Sequence, residues 1–265
     1  TTELLRYRKI KAKGKESYQL VLETTPFYAE SGGQVGDRGW LEADGTSLEI
    51  IDTKKENDLI IHFTETLPSN LTGTINARVN AERRKDITIH HSATHLLHAA
   101  LRTVLGTHVA QKGSLVNDEQ LRFDFSHFAK VSHEEMAKIE TMVNLKIREN
   151  VPVVIKEMPK EEALKLGAMA LFGEKYGDTV RVVVMDPTYS VELCGGTHVG
   201  HTGELGLFKL RAESAVAAGV RRIEAVCGVA AENFINDELR QLAAVKEQFK
   251  NPADINKAIE NKNET

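Results

Sequence analysis

The stretch from Ala81 to Leu105 contains neither glycine nor proline, and it divides the chain into two differently patterned parts. Within it, the positions that can share one face recur at steps of three and four, at 87, 91, 94, 95, 98 and 101. That spacing is typical of an α-helix, and Gly106 stands where a helix C-terminus is expected. The chain is therefore predicted to fold around a long helix that carries His91 and His95 on one face.

Two short motifs, far apart in the chain, suggest a metal site. His91-Ser-Ala-Thr-His95 places two imidazoles one helical turn apart. In Cys194-Gly-Gly-Thr-His198, the two glycines are expected to let the backbone fold tightly and bring thiolate and imidazole together. Three nitrogens and one sulfur suit tetrahedral Zn²⁺. We predict a zinc ion held by His91, His95, Cys194 and His198; the alternative is a set of buried or surface histidines without metal.

The remaining histidines and the second cysteine have plainer interpretations. His90 points roughly 100° away from His91 on a helix, so it is expected outside the ligand set or at the surface. His98 is three residues past His95 and is the alternative ligand. His201 is expected to be a solvated loop residue, and Cys227, before a glycine, a small core residue.

Several kinds of zinc protein are disfavoured by the same motifs. A metallopeptidase helix would read His-Glu-x-x-His, and here Ser92 holds the position of the glutamate. The His-x-Glu and Pro-Cys-x-x-Cys pattern of base deaminases is missing. The sequence has no Cys-x-x-Cys pair, so an ordinary zinc finger is also disfavoured.

The surrounding pattern predicts an α+β protein. Residues 1–80 contain short β-rich runs separated by glycine turns, including the connection Pro68–Gly73, and suggest a small N-terminal β-barrel. After the long helix, strands are expected at 108–116, 121–126, 151–158, 181–185, 204–212 and 220–227. Helices are expected from Ser132, which begins a capping box, and from Pro159. Helices packed on a mainly antiparallel sheet are therefore predicted. The predicted domains are 1–80, 81–228 and a helical tail, 229–265, with a frayed polar end.

Charge and composition restrict the partners. The chain has 34 basic and 38 acidic residues, a net charge of −4, so any contact with nucleic acid must be local. Two cysteines cannot form a disulfide framework, and with no export signal they indicate a reducing, cytoplasmic compartment. No apolar run approaches the length of a membrane span. The first residue is threonine, which suggests a piece of a longer protein.

The basic residues cluster in three places. The candidates for contact with phosphates are Arg6, Arg8, Lys9, Lys11, Lys13 and Lys15, then Arg83-Arg84-Lys85, and Arg221-Arg222. The alternative for the first run is a solvated strand face. The glycines of Ser31-Gly-Gly33 are expected to let the backbone approach RNA.

Together these motifs resemble the editing domain of alanyl-tRNA synthetases. The matching segments are His91–His95, Gln111–Ser114, Arg122–Phe125, Gly167–Glu174, Cys194–His198 and Ala218–Ala225. Upstream, Thr25–Asp37 resembles the β-barrel segment that precedes editing in that family and in its free-standing relatives. The resemblance covers residues 1 to about 228, and the rest looks like the start of a linker to a C-terminal domain.

The resemblance implies hydrolysis of mischarged Ser-tRNA(Ala) and Gly-tRNA(Ala), with the acceptor end of tRNA as partner and zinc as cofactor. An alanine site cannot exclude glycine sterically and rejects serine weakly, so a second, hydrolytic site supplies the missing accuracy. By family motif and location, Thr94 and Gln111 are the candidates for reading the seryl hydroxyl. The alternatives are a threonine that bonds its own helix backbone and an exposed strand glutamine. Asp124 is a further candidate for supplying charge at the site. The alternative is that Asp124 only stabilises the strand pair in which it lies.

Two other functions remain open at this stage. Four protein ligands describe a closed, structural zinc site, so the chain could be a non-catalytic tRNA-binding module. It could also be a free-standing trans-editing protein. We favour an editing hydrolase whose zinc activates water or positions the ester.

Overall fold

The computed structural model describes residues 1–12, 14–67, 73–170 and 177–263. Lys13, most of the predicted connection Pro68–Gly73, and the second half of the Gly167–Glu174 motif lie outside the described residues. Within the described part, the chain is α+β with mainly antiparallel sheets, as predicted.

The first part of the chain forms two antiparallel sheets. Its strands are β1 (Leu4–Ala12), β2 (Lys15–Leu22), β3 (Gly39–Ala43), β4 (Thr46–Ile50), β5 (Asp52–Glu56), β6 (Leu59–Thr64) and β7 (Asn76–Val79). One sheet has the order β1-β2-β6-β5 and the other β4-β3-β7. The chain passes from one sheet to the other at Ile51, whose amide donates to Phe63, and Thr2 pairs with Ile75 beside β7. Both sheets bury apolar residues in one cluster that includes Leu20, Leu41 and Ile75.

The first helix, α1 (Ala81–Leu105), begins and ends where the sequence predicts. Asn80 caps its N-terminus by accepting a hydrogen bond from the amide of Arg83, and Gly106 follows its last residue with a φ of 119°. Thirteen consecutive positions, 89–101, are buried, because sheets and a second helix pack on all sides of this segment. Polar side chains in that stretch must therefore find partners inside the protein.

The elements that follow surround α1. They are β8 (Gln111–Val116), β9 (Leu121–Ser126), α2 (His133–Arg148), β10 (Val153–Pro159), α3 (Lys160–Lys165), β11 (Thr179–Met185), β12 (Ser190–Leu193), β13 (Phe208–Ala217) and β14 (Val220–Cys227). They form the sheets β13-β14-β9-β8 and β10-β11-β12. Ser132 and Glu135 form the predicted capping box of α2. The largest apolar cluster lies between α1, α2 and the four-stranded sheet.

Several predicted boundaries differ from the structure; for example, the helix expected from Pro159 begins at Lys160, because Pro159 ends β10. The strand expected from His108 begins at Gln111, because the amide of Val109 bonds the carbonyl of Gly106 in a turn. The strand expected from Glu204 begins at Phe208, after a 3₁₀ turn over Thr202–Leu205. In the tail, α4 (Val229–Gln248) is followed by a second helix, α5 (Ile255–Asn263), where fraying was expected. The domain limits at residues 80 and 228 stay predictions.

In the described part of the chain, no helix is both long and apolar enough to cross a membrane.

Candidate metal centre

Four side chains from two elements meet inside the protein. His91 and His95 lie on α1, and Cys194 and His198 lie in the loop that follows β12. One ligand atom from each lies within 4.8 Å of the other three. The Cys194 sulfur is 3.4 Å from Nε2 of His91 and 3.4 Å from Nε2 of His198. The structure thus brings together the four residues that the two motifs nominated.

Each of the three imidazoles is held from its other ring nitrogen. Nδ1 of His91 lies 2.6 Å from the side-chain oxygen of Gln34, and Nδ1 of His198 lies 3.1 Å from the Ser92 hydroxyl. Nδ1 of His95 lies 2.7 Å from a carboxylate oxygen of Glu192. Outer partners of this kind fix the tautomer and orientation of histidines that bind metals. Sequence reasoning did not find Gln34, Glu192 or Ser92 as partners.

Glu192 also accounts for His98, the alternative ligand. Its second carboxylate oxygen lies 2.8 Å from Nδ1 of His98, and His98 is not in the cluster that could hold a metal. Glu192 is 1% exposed, so a buried carboxylate joins the two histidines. Burial alone would raise the pKa of Glu192, but the charges and hydrogen bonds of His95 and His98 hold it far below the usual range.

In the metal-free protein, the groups around Cys194 favour its thiolate form. Burial alone would raise the pKa of the Cys194 thiol, but the nearby imidazoles of His91 and His95 hold it well below its usual value. The amide of Gly196 also donates to the sulfur, at 3.4 Å. Burial lowers the pKa of His198 to about 3, which keeps that imidazole neutral near pH 7. A thiolate and a neutral imidazole are the forms that bind metals.

In the metal-free protein the pKa of His95 shifts in the direction opposite to that of His198. Burial lowers its pKa, but Glu192 and Cys194 outweigh burial and raise it to about 10. A metal ion binding through His95 would therefore displace a proton from it.

The two glycines of the cysteine motif differ in their surroundings. A Cβ added at Gly196 would lie 1.9 Å from the His91 ring, whereas one added at Gly195 would meet nothing within 4 Å. Neither glycine has a positive φ. The motif therefore needs a glycine at 196 to make room for His91, and not, as expected from the sequence, two glycines for a tight backbone turn.

The donor set fits zinc. Imidazole nitrogens and thiolates are ligand types of tetrahedral zinc sites, and bonds of about 2.0–2.3 Å place neighbouring ligand atoms roughly 3.5 Å apart. The Cys194–His91 and Cys194–His198 distances already match that spacing. His91, His95 and Cys194 are buried and His198 is half-buried. The outer partners of the imidazoles are in place, as a metal site requires.

The two predicted specificity residues lie in different surroundings. Thr94 is buried, and its hydroxyl donates to the carbonyl of His90 at 2.9 Å, so it bonds its own helix. Gln111 lines a cavity of about 340 Å³ together with His98 and Met169. A second cavity, of about 350 Å³, opens beside His198.

Of the other residues for which the sequence suggested a role, three are buried or paired inside the protein and one is exposed. His90 is buried rather than exposed; it accepts a hydrogen bond from the amide of Cys227 and contacts the carbonyl of Asn117. Cys227 is a small core residue, as expected, and burial raises the pKa of its thiol to about 12. His201 is exposed. Asp124 forms a two-point ion pair with Arg222, which favours the structural interpretation.

In two of the three predicted basic patches the arginines pair with carboxylates of the chain, while Lys85 is exposed. Arg83 pairs with Asp118 and Arg84 with the buried Asp37. Arg221 pairs with Glu213. These guanidinium groups therefore stabilise the fold and are poorly placed to neutralise phosphates.

Comparison with known proteins defines the class. Residues 180–224 match the threonyl and alanyl tRNA synthetase second additional domain, and residues 4–84 match the class II (A) tRNA synthetases. The chain thus carries synthetase sequence on both sides of α1.

Full-length relatives define the family. The chain is 56% identical to the alanine–tRNA ligase of Cytophaga hutchinsonii and 55% identical to that of Parabacteroides distasonis. These matches cover 98% and 97% of the chain, and 30% of each relative. The ligase of Salinibacter ruber is 49% identical over 94% of the chain and 26% of its own length. The chain belongs to the alanyl-tRNA synthetase family, and it spans about three tenths of the length of these relatives.

Proposed function

We propose that this chain hydrolyses the ester bond of Ser-tRNA(Ala) and Gly-tRNA(Ala), the editing reaction of its family. The observation that carries the proposal is the convergence of His91, His95, Cys194 and His198 beside a cavity that His198 lines. Ligation of alanine to tRNA is what the name of the relatives states; we propose only the hydrolytic step for the residues described.

We also propose that the four residues hold Zn²⁺. A bound zinc ion can polarise an ester carbonyl or lower the pKa of water. The chain supplies the orientation: Gln34, Glu192 and Ser92 hold the three imidazoles, and the Gly196 amide supports the thiolate. With all four residues as ligands the site would be closed, so direct zinc chemistry on water or on the ester would require that one of the four residues yields its position.

Selectivity is proposed to come from polar groups that serine satisfies and alanine does not. The Thr94 hydroxyl already donates its proton to His90. Its oxygen retains lone pairs, so it can still accept a hydrogen bond from a seryl hydroxyl. Gln111 is the second candidate, from the cavity that it shares with His98.

The β-rich first part is proposed to be the small barrel of this family. Its two sheets meet at Ile51 on one side and at the Thr2–Ile75 pair on the other. The acceptor end of tRNA(Ala) is the proposed partner, with the exposed basic residues of β1 as contacts.

A non-catalytic tRNA-binding module is the second candidate. Two observations favour it: four protein ligands are typical of structural zinc, and the Thr94 hydroxyl is used within its helix. The same experiment distinguishes the two functions.

The test measures deacylation of Ser-, Gly- and Ala-tRNA(Ala) together with zinc content. We expect about one zinc per chain and faster hydrolysis of the seryl and glycyl esters than of the alanyl ester. Cys194→Ala should lose zinc and activity, while Cys227→Ala, which changes a buried core thiol, should keep both. Zinc without hydrolysis would favour the binding module, and no zinc in the metal-replete protein would reject the proposed site.

A further inference from the structure

Gln34 lies in the β-rich first part of the chain, but its side chain reaches the metal centre. It is fully buried, between β3 and β2 in sequence, and belongs to the glycine-rich segment Ser31–Asp37. We propose that Gln34 is a positioning residue: its side-chain carbonyl fixes the proton of His91 on Nδ1 and thereby presents Nε2 to the metal. This inference rests on the zinc site proposed above.

The orientation of the Gln34 amide follows from its neighbours. Its oxygen lies 3.0 Å from the backbone amide of Thr197 and 3.2 Å from the Thr197 hydroxyl. A backbone N–H can only donate, so the atom that faces it must be the oxygen rather than the amide nitrogen. If the Gln34 amide were flipped, its NH₂ group would face the backbone N–H of Thr197, and both groups are donors.

The orientation of His91 follows in turn. Its Nδ1 lies 2.6 Å from the same oxygen of Gln34, which can only accept. Nδ1 therefore carries a proton and donates it. In a neutral imidazole the other nitrogen then has the lone pair, and Nε2 is the atom that faces the Cys194 sulfur.

The segment around Gln34 is built to hold this contact. The carbonyl of Gly33 accepts from the amide of Val116 at 2.8 Å, and the amide of Val35 donates to Val116 at 3.0 Å. The segment thus pairs with β8. A Cβ at Gly33 would lie 2.7 Å from the carbonyl oxygen of Ser114, and one at Gly36 would lie 2.0 Å from that of Thr53. The glycines let the segment fit between β5 and β8, which is a role inside the protein and differs from the RNA approach expected from the sequence.

The opposite edge of the segment is anchored to α1. Asp37 is 1% exposed and pairs with Arg84, while Arg83 donates to the carbonyl of Gly36 at 2.9 Å. Both arginines lie in the first turn of the helix that carries His91. The segment that carries Gln34 is therefore fixed to the same helix that carries His91.

The test compares two substitutions at one position. Gln34→Met keeps the length and bulk but removes the acceptor, and Gln34→Glu keeps an acceptor. By competition with a chelator, Gln34→Met should bind zinc about 10–100-fold more weakly than the native chain, and Gln34→Glu should bind more tightly than Gln34→Met. Gln120→Met, in the turn between β8 and β9, is the matched control and should bind as the native chain does.

A space-filling role predicts the opposite order, since an uncharged methionine fills a buried site better than a carboxylate does. That order, or native affinity in Gln34→Met, would overturn the inference while leaving the zinc site intact. Native protein that binds no zinc would instead reject the proposed function.

A measurement on the native protein keeps the inference testable if the variants do not fold. In long-range ¹H–¹⁵N spectra of the zinc-loaded chain, we expect His91 to show a protonated Nδ1 and a metal-bound Nε2. A metal-bound Nδ1 would overturn the inference.

Discussion

At the scale of single residues, Gly195 and Gly196 form a natural pair for testing the site. Gly196→Ala places a methyl group 1.9 Å from the His91 ring, so the ring must move, whereas Gly195→Ala meets nothing within 4 Å. We expect Gly196→Ala to lose at least tenfold in zinc affinity, comparable to the loss of an outer partner, and Gly195→Ala to change it little. Titration against a chelator measures both, and equal affinities would show that His91 is not confined as described.

A second residue-scale prediction concerns Thr94. If its oxygen accepts a hydrogen bond from the seryl group, Thr94→Val should reduce discrimination between seryl and alanyl esters by about 1–2 kcal/mol. Thr103→Val is the control, because Thr103 makes the same helix bond, to the carbonyl of Ala99, at 2.9 Å. The rates of hydrolysis of the seryl and alanyl esters by each variant measure this discrimination. An equal loss on both would mean that Thr94 supports the helix, and Gln111 would be the next residue to test.

At the scale of elements, the sequence predicts helices better than strands. The bounds of α1 and the start of α2 follow from periodicity, a terminal glycine and a capping box, which are all local signals. In contrast, β5 and β12 were not predicted. Residues 52–56 are mostly charged, because only Thr53 of that strand is buried, and β12 is four residues long. Their strand character comes from pairing with neighbours far along the chain.

The candidate site likewise contains some residues that local sequence signals predict and others that they do not. The convergence of its four candidate ligands could be predicted because their residue types and spacing report their chemistry. Gln34 and Glu192 could not, because a glutamine or glutamate has many uses and their contacts to histidines depend on tertiary packing. One signal was available for Gln34: it lies among three glycines, at 32, 33 and 36, which indicates close approach of the backbone to something.

Strand β6 carries a prediction on pH. His62 is fully buried, between the carbonyl of Leu20 and the hydroxyl of Thr25, and burial lowers its pKa to about 4. Below its unfolded pKa of about 6.5, the unfolded chain takes up a proton that the folded chain does not, so stability falls as the pH drops from 6.5 towards 4.

His62 alone should cost roughly 1.5 kcal/mol in the free energy of unfolding between pH 6.5 and 5. Urea unfolding of the metal-free protein at both pH values measures this loss, and His62→Gln should show a correspondingly smaller one. Burial also lowers the pKa of His90 to about 4, so part of the dependence should remain in the variant. Equal losses in the two proteins would contradict the prediction.

At the scale of the whole molecule, the charges available to RNA are fewer than the composition indicates. Arg83, Arg84, Arg221 and Arg222 all form ion pairs within the fold. The exposed basic residues of β1 are the better candidates, although Arg8 pairs with Glu56 and Lys9 with Glu16 there.

This distribution gives a prediction on salt. Affinity for tRNA should fall with salt concentration, and Arg6→Ala with Lys11→Ala should reduce the slope of log affinity against log salt by roughly one to two. Filter binding over a range of salt concentrations measures the slope. The double variant Lys250→Ala, Lys257→Ala in the tail is the control. An unchanged slope in the β1 variant would mean that this strand face is only solvated.

The contact between Gln34 and His91 limits how the two parts of the chain can be exchanged between proteins during evolution. The buried apolar residues on the two sides of position 80 form separate clusters, which suggests two modules that could be shuffled independently. Yet one module supplies the hydrogen-bond acceptor for a histidine of the other. A chimera that joins the first module of one protein to the second of another would keep both cores and still lose this acceptor, unless its donor carried glutamine at the equivalent position and the glycines that admit it. The two modules are thus expected to be exchanged together, as a single heritable unit.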